Sequence, residues 1–187
     1  MNKLLSAATG LLLLLQASAS SAASFTVDKK QSHITVYAKA TGGDFKGYLT
    51  NYTATITGDP TTLKPSSASI TWKFADLDTK KKKRNVKMLS WLDTGKHPGG
   101  SFKLSRVFDK KVVGKTQTYA LGNLTIHGVS KQIVFPINAT REGNSLTITG
   151  QAVIDTTDFN LPIIRMALIA TVKPKLTIDF SLTGTGK

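Results

Sequence analysis

Side chains able to do chemistry are sparse in this chain of 187 residues, which has three histidines (His33, His97 and His127), no cysteine, and 11 Asp and Glu against 25 Lys and Arg. Without cysteine there is no thiolate nucleophile, no disulfide framework and no sulfur-ligated zinc. The histidines are scattered, with neither H-x-H nor H-E-x-x-H spacing, and a metal site needs three or four converging ligands. No metal centre is therefore expected. Asp76, Asp78 and Asp93 raise the question of acid–base work, but carboxylates bracketing a lysine run read more simply as charge balance. No G-x-S-x-G, P-loop or dinucleotide fingerprint is present. The expectation is no catalytic residue, no cofactor and no enzyme.

Two features remain as binding candidates. The dense charge cluster of the chain is Lys80, Lys81, Lys82, Lys83, Arg84 and Lys87, and its lysine run with Arg84 supplies the candidates. They could receive a phosphate-bearing head group or rest on an anionic membrane, where each basic residue contributes about 1 kcal/mol. The competing reading is a solvated loop. His127 sits in "GNLTIHGVSKQIVFPI", at the end of one alternating run and before the next. A structural, hydrogen-bonded role at a strand corner fits it best, with head-group contact as the alternative.

The elements that must position these residues are mostly strands. In "SITWKF", Ile70, Trp72 and Phe74 share one face, and in "KLTIDFSL" Leu176, Ile178, Phe180 and Leu182 do the same. Further strands are expected at 25–28, 31–40, 45–57, 101–108, 116–126, 131–140, 145–154 and 167–173, with turns at "TGGD", "GDP", "HPGG" and "EGN". This is an all-β chain, sandwich or closed barrel, and periodicity alone does not choose. Between Asp78 and Pro98 the pattern changes: Val86, Leu89 and Leu92 recur every three residues, predicting a short helix that starts near Asp78 or Thr79 and ends before Gly95 and Pro98. In "HGVSK" Gly128 is expected to take positive φ.

Lys3, the apolar run closing with Leu11–Leu15 and the small residues that follow read as a cleaved secretory signal peptide over residues 1–23. That places the product in the periplasm or outside the cell. Residues 24–187 read as one domain, since no linker or internal shift in charge divides them. A chain of net charge +14 has few nucleic-acid partners outside the cytoplasm, leaving anionic lipids, pyrophosphates or an acidic protein as counter-ions, or a charge that serves solubility alone.

Taken together, several segments resemble the YceI family of exported, lipocalin-like proteins. "GNLTIHGVSKQIVFPI" is similar to that family's G-x-L-T-I-H-G-V-x-K and following strand, and "FTVDKKQS" to its opening, with Asp28 and Ser32 in place. Leu77, Asp78, Thr79 and Arg84 match a further segment, as do His97, Pro98 and Phe102, and Asp158 with Phe159. The chain departs from the pattern at Gln31 and Ala40, where histidine is usual, at Asn85 for aspartate, at Thr156 for arginine and at Asn160 for glycine.

The resemblance implies a lipocalin-like antiparallel barrel of about eight strands around an apolar tunnel for one slender ligand. That ligand would be an isoprenoid lipid, polyprenyl or quinone-type, held for transport or storage, and a homodimer is in keeping with it. Tyr37, Phe45, Tyr48, Trp72, Phe74, Trp91, Phe102, Phe135 and Phe159 are the residues expected to supply the tunnel lining. The rival expectation is an interaction protein with a filled barrel, docking its basic surface on a membrane or an acidic partner.

Overall fold

The computed structural model describes residues 23–166 and 170–186. The expected signal segment lies outside the described residues except for Ala23, and the expected strand at 167–173 does so at 167–169. In chain order the elements are β1 (Ala23–Val27), β2 (His33–Ala40), β3 (Phe45–Leu49), β4 (Thr53–Asp59), β5 (Lys64–Lys73), β6 (Leu77–Asp78), α1 (Lys82–Trp91), β7 (Gly99–Val112), β8 (Lys115–Ile126), β9 (Val129–Glu142), β10 (Ser145–Asp155), β11 (Arg165–Met166) and β12 (Ala170–Gly186).

Antiparallel pairing runs β1–β4–β5–β7–β8–β9–β10–β12 and returns to β1, so the sheet closes into a barrel of eight strands. Closure leaves those strands without a free edge and decides between sandwich and barrel. Three of the eight are broken. β1 and β2 follow one another along β12, Phe25 facing Gly186 and Val36 facing Ile178. β3 with β4, and β5 with β6, repeat the break, so the expected strand 45–57 is two pieces separated at 50–52. The matched residues Asp28 and Ser32 stitch the first break. Lys30 N–H donates to Asp28 Oδ1 at 2.9 Å, Ser32 Oγ donates to the Asp28 carbonyl at 2.6 Å, and Ser32 Oγ accepts Thr183 N–H at 2.9 Å. Both residues therefore serve the fold.

The β8–β9 corner is a two-residue turn in which His127 (φ +51°) and Gly128 (φ +73°) are both left-handed. That is the backbone a type I′ hairpin requires, matching the twist of its strands. Glycine was expected to bend there; the histidine bends with it.

Helix α1 connects β6 to β7 and starts later than the periodicity predicts. Asp78 and Thr79 remain outside it, and Lys80 turns left-handed at φ +60°. Asn85 explains the delay: its Oδ1 accepts Thr79 N–H at 2.9 Å and the Thr79 hydroxyl at 2.6 Å, while its Nδ2 donates to Asp78 Oδ1 at 2.9 Å. The helix ends as expected before Gly95, with Asp93 left-handed at φ +46°. Phe74, expected to extend the strand of Trp72, instead opens a short 3₁₀ turn and is buried there.

Candidate functional site

Inward side chains do not fill the barrel evenly. Toward the end where β1 meets β12, Phe25, Tyr52, Ile56, Ile148 and Leu182 pack into a solid cluster. Toward the α1 end the interior opens into a cavity of about 1140 Å³. This exceeds the roughly 300–1,000 Å³ of ordinary small-molecule pockets. Aliphatic side chains make most of its wall, among them Ile34, Val36, Leu49, Ile70, Leu124, Ile126, Ile133, Ile154, Leu176 and Ile178. The expectation of a filled barrel therefore holds only for the far half.

Of the aromatic residues singled out by sequence, Phe45, Trp72, Phe74, Trp91, Phe102 and Phe135 line the cavity. Trp72 and Phe74 meet edge to face at 6.4 Å, and Phe102 and Phe135 lie 5.5 Å apart. Three do not line it, and each has a reason. Tyr37 lies between the inward Val36 and Ala38, so the period of two turns it outward, where the Lys46 ammonium sits 4.9 Å from its ring. Tyr48 lies between Gly47 and Leu49 and turns outward likewise, under Lys80 at 5.6 Å. Phe159 is 1% exposed, locked in the core by the 3₁₀ turn Thr156–Phe159.

Glycines on neighbouring strands make room for these rings. A Cβ on Gly100 would stand 2.5 Å from the Trp72 ring, and one on Gly150 would stand 2.5 Å from Phe180. At Gly122 it would collide with Phe102 and lie 2.6 Å from the Lys103 carbonyl oxygen. At these three points the opposing strand presents backbone only, and each ring occupies the space that a Cβ would fill.

Polar groups gather at the α1 end with one sign. Lys81, Lys83, Arg84, Lys87, Arg165 and Lys173 all contribute to the cavity wall, and no Asp or Glu among the described residues does. Arg84 stacks its guanidinium 4.2 Å from the Phe45 ring centre, joining the charged rim to the apolar wall. The sequence run is thus split. Lys80 is held by Asp78 at 3.0 Å, and neither it nor Lys82 reaches the cavity. Lys87, one helical turn beyond Lys83 and Arg84, joins them along α1, and Arg165 and Lys173 complete the collar through the three-dimensional closure of the barrel. Thr156, where the family pattern has arginine, is buried on the wall.

His127 is not on the cavity wall. Its Nδ1 lies 3.3 Å from the Phe159 carbonyl oxygen, and its ring meets His97 edge to face at 4.6 Å. The head-group role is corrected accordingly, because the type I′ turn points the ring at the loop after α1. The expectation of scattered histidines is also corrected: the fold brings His97 and His127 together with Asp93, while His33 stays apart beside Asp179 at 3.6 Å.

Comparison with known proteins follows the same outline. A family model described as the YceI-like domain matches residues 25–184. A UPF0312 protein of Vibrio vulnificus (strain YJ016) is 27% identical over 168 residues, covering 83% of this chain and 87% of the relative. Among solved structures, Burkholderia cenocepacia BcnA superposes with a TM-score of 0.72 at 23% identity, covering 86% of this chain and all of that one. A polyisoprenoid binding domain from Saccharophagus degradans, implicated in plant cell wall breakdown, gives a TM-score of 0.63 at 12% identity, covering 89% of this chain and 100% of that one. At such identities the two structures share a fold with this chain.

Proposed function

The chain belongs to the YceI-like domain family, and on that footing we propose that it is an exported binding protein, not a catalyst, that encloses one long isoprenoid chain in its barrel for transport or storage. The carrying observation is the cavity of about 1140 Å³, walled by aliphatic and aromatic side chains and open only part of the way down the barrel. Each methylene transferred from water to such a wall contributes about 0.8 kcal/mol, so a long tail binds tightly without any polar anchor. The fold shared with a polyisoprenoid binding domain supports the same ligand class.

The collar bears on the head of that ligand. Six cations and no carboxylate at the rim, among the described residues, favour a phosphate or pyrophosphate group over the neutral ring of a quinone. The same collar suits docking on anionic lipid while the tail is collected. Native mass spectrometry of gently purified mature protein tests the proposal. A reproducible adduct of isoprenoid mass is expected, with a rise in melting temperature on adding polyprenyl phosphate. Bare protein whose melting temperature ignores the lipid eliminates the reading.

A further inference from the structure

We propose that Asp93, His97 and His127 bind a first-row divalent transition ion, with zinc as the reference, and that the ion staples the loop after α1 to the β8–β9 hairpin. One ligand atom from each residue lies within 4.8 Å of the others, and all three side chains are half-buried. Zinc bonds to nitrogen and oxygen of about 2.0–2.1 Å put tetrahedral ligands about 3.4 Å apart. Closing that gap takes roughly 1.4 Å at most, within reach of side-chain rotation.

Two imidazoles and a carboxylate form a ligand set suited to zinc, with a fourth position left for water. The backbone delivers them. The amides of Lys96 and His97 both donate to the Asp93 carbonyl, at 3.0 and 2.8 Å, folding Asp93 and His97 into one tight turn. His97 reaches His127 across Gly128, where a Cβ would stand 2.7 Å from His97 Cε1.

The tautomer of His127 also suits a ligand. A carbonyl oxygen only accepts, so the contact with Phe159 places the proton on Nδ1 and leaves the Nε2 lone pair available. Backbone carbonyls hold metal-binding histidines in this way. The facing charge is Lys96, whose ammonium lies 3.6 Å from Asp93 Oδ2 and is 80% exposed, so an arriving ion releases it to water.

The test is titration of metal-stripped mature protein with zinc chloride by calorimetry, with cobalt(II) absorption reporting coordination geometry. One equivalent is expected to bind, with tetrahedral cobalt intensity. Affinity should fall at least tenfold in His97→Gln and in Asp93→Asn, the latter keeping a residue that tolerates positive φ. His33→Gln should bind like the parent, and circular dichroism of each variant reports its fold. Absence of a stoichiometric site overturns the proposal, as does binding that survives both Asp93→Asn and His97→Gln.

Discussion

Asp78 holds its proton less tightly than an ordinary aspartate, with its pKa lowered from 3.8 to about 2. The amide of Asn85 is the main cause, followed by the backbone N–H of Lys80, both donating to the carboxylate. A carboxyl whose pKa is lower in the folded chain stabilises the fold at every pH above its unfolded value. That support disappears as pH falls from 3.8 through about 2. Melting temperature should therefore drop through this window, and Asp78→Asn should flatten that part of the profile in a pH series. Tyr52 makes a different case. Its hydroxyl is buried without a hydrogen-bond partner among the described residues, while Ser32 nearby donates its one hydroxyl proton to the Asp28 carbonyl. Removing an unpaired buried hydroxyl recovers its desolvation cost, so Tyr52→Phe should stabilise the protein by about 1 kcal/mol in urea unfolding. Neither effect is legible from residue types alone. Asp78 and Asn85 are seven positions apart, and their contact depends on the left-handed turn at Lys80.

Neighbouring strands set a large ring against a bare glycine, directly opposite at Trp72 and Gly100 and at Phe180 and Gly150, and diagonally at Phe102 and Gly122. Gly122→Ala would drive a methyl against a backbone carbonyl that cannot yield, at 2.6 Å, and should cost about 1–3 kcal/mol by thermal or chemical unfolding. Alternation revealed most strands and which faces point inward, since one period of two governs both. It separated 25–28 from 31–40, close to the observed break between β1 and β2, but ran 45–57 together across the break at 50–52, which follows from how the strand bends around the barrel. The tunnel residues chosen for aromaticity went astray where that choice ignored the period, at Tyr37 and Tyr48. Their adjacent aliphatic residues, of the opposite parity, such as Val36 and Leu49, were the better signal. The collar was half legible, because Lys83 and Arg84 lie in an obvious run whereas Arg165 and Lys173 join them only through closure.

For the molecule as a whole, the hollow half and the charged rim make separable predictions. Ala152 is buried on the cavity wall, so Ala152→Phe should take up ligand space while leaving the melting temperature within a few degrees, and native mass spectrometry should record reduced lipid occupancy. Reversing Lys83, Arg84 and Lys87 to glutamate should weaken polyprenyl phosphate binding at least tenfold and leave a neutral quinone almost unaffected. The parent's preference for the phosphate should itself decline as salt is raised, because rim charges are screened over about 8–10 Å. The ring of strands has a further consequence for how the chain reaches this state. β12 touches β10 on one side and both β1 and β2 on the other, and it is the last strand described. Without it, β1 and β10 would each present an unpaired edge. Closing the ring therefore joins segments about 160 residues apart, such as Phe25 with Gly186, and pairing over so long a stretch of chain is expected to slow folding.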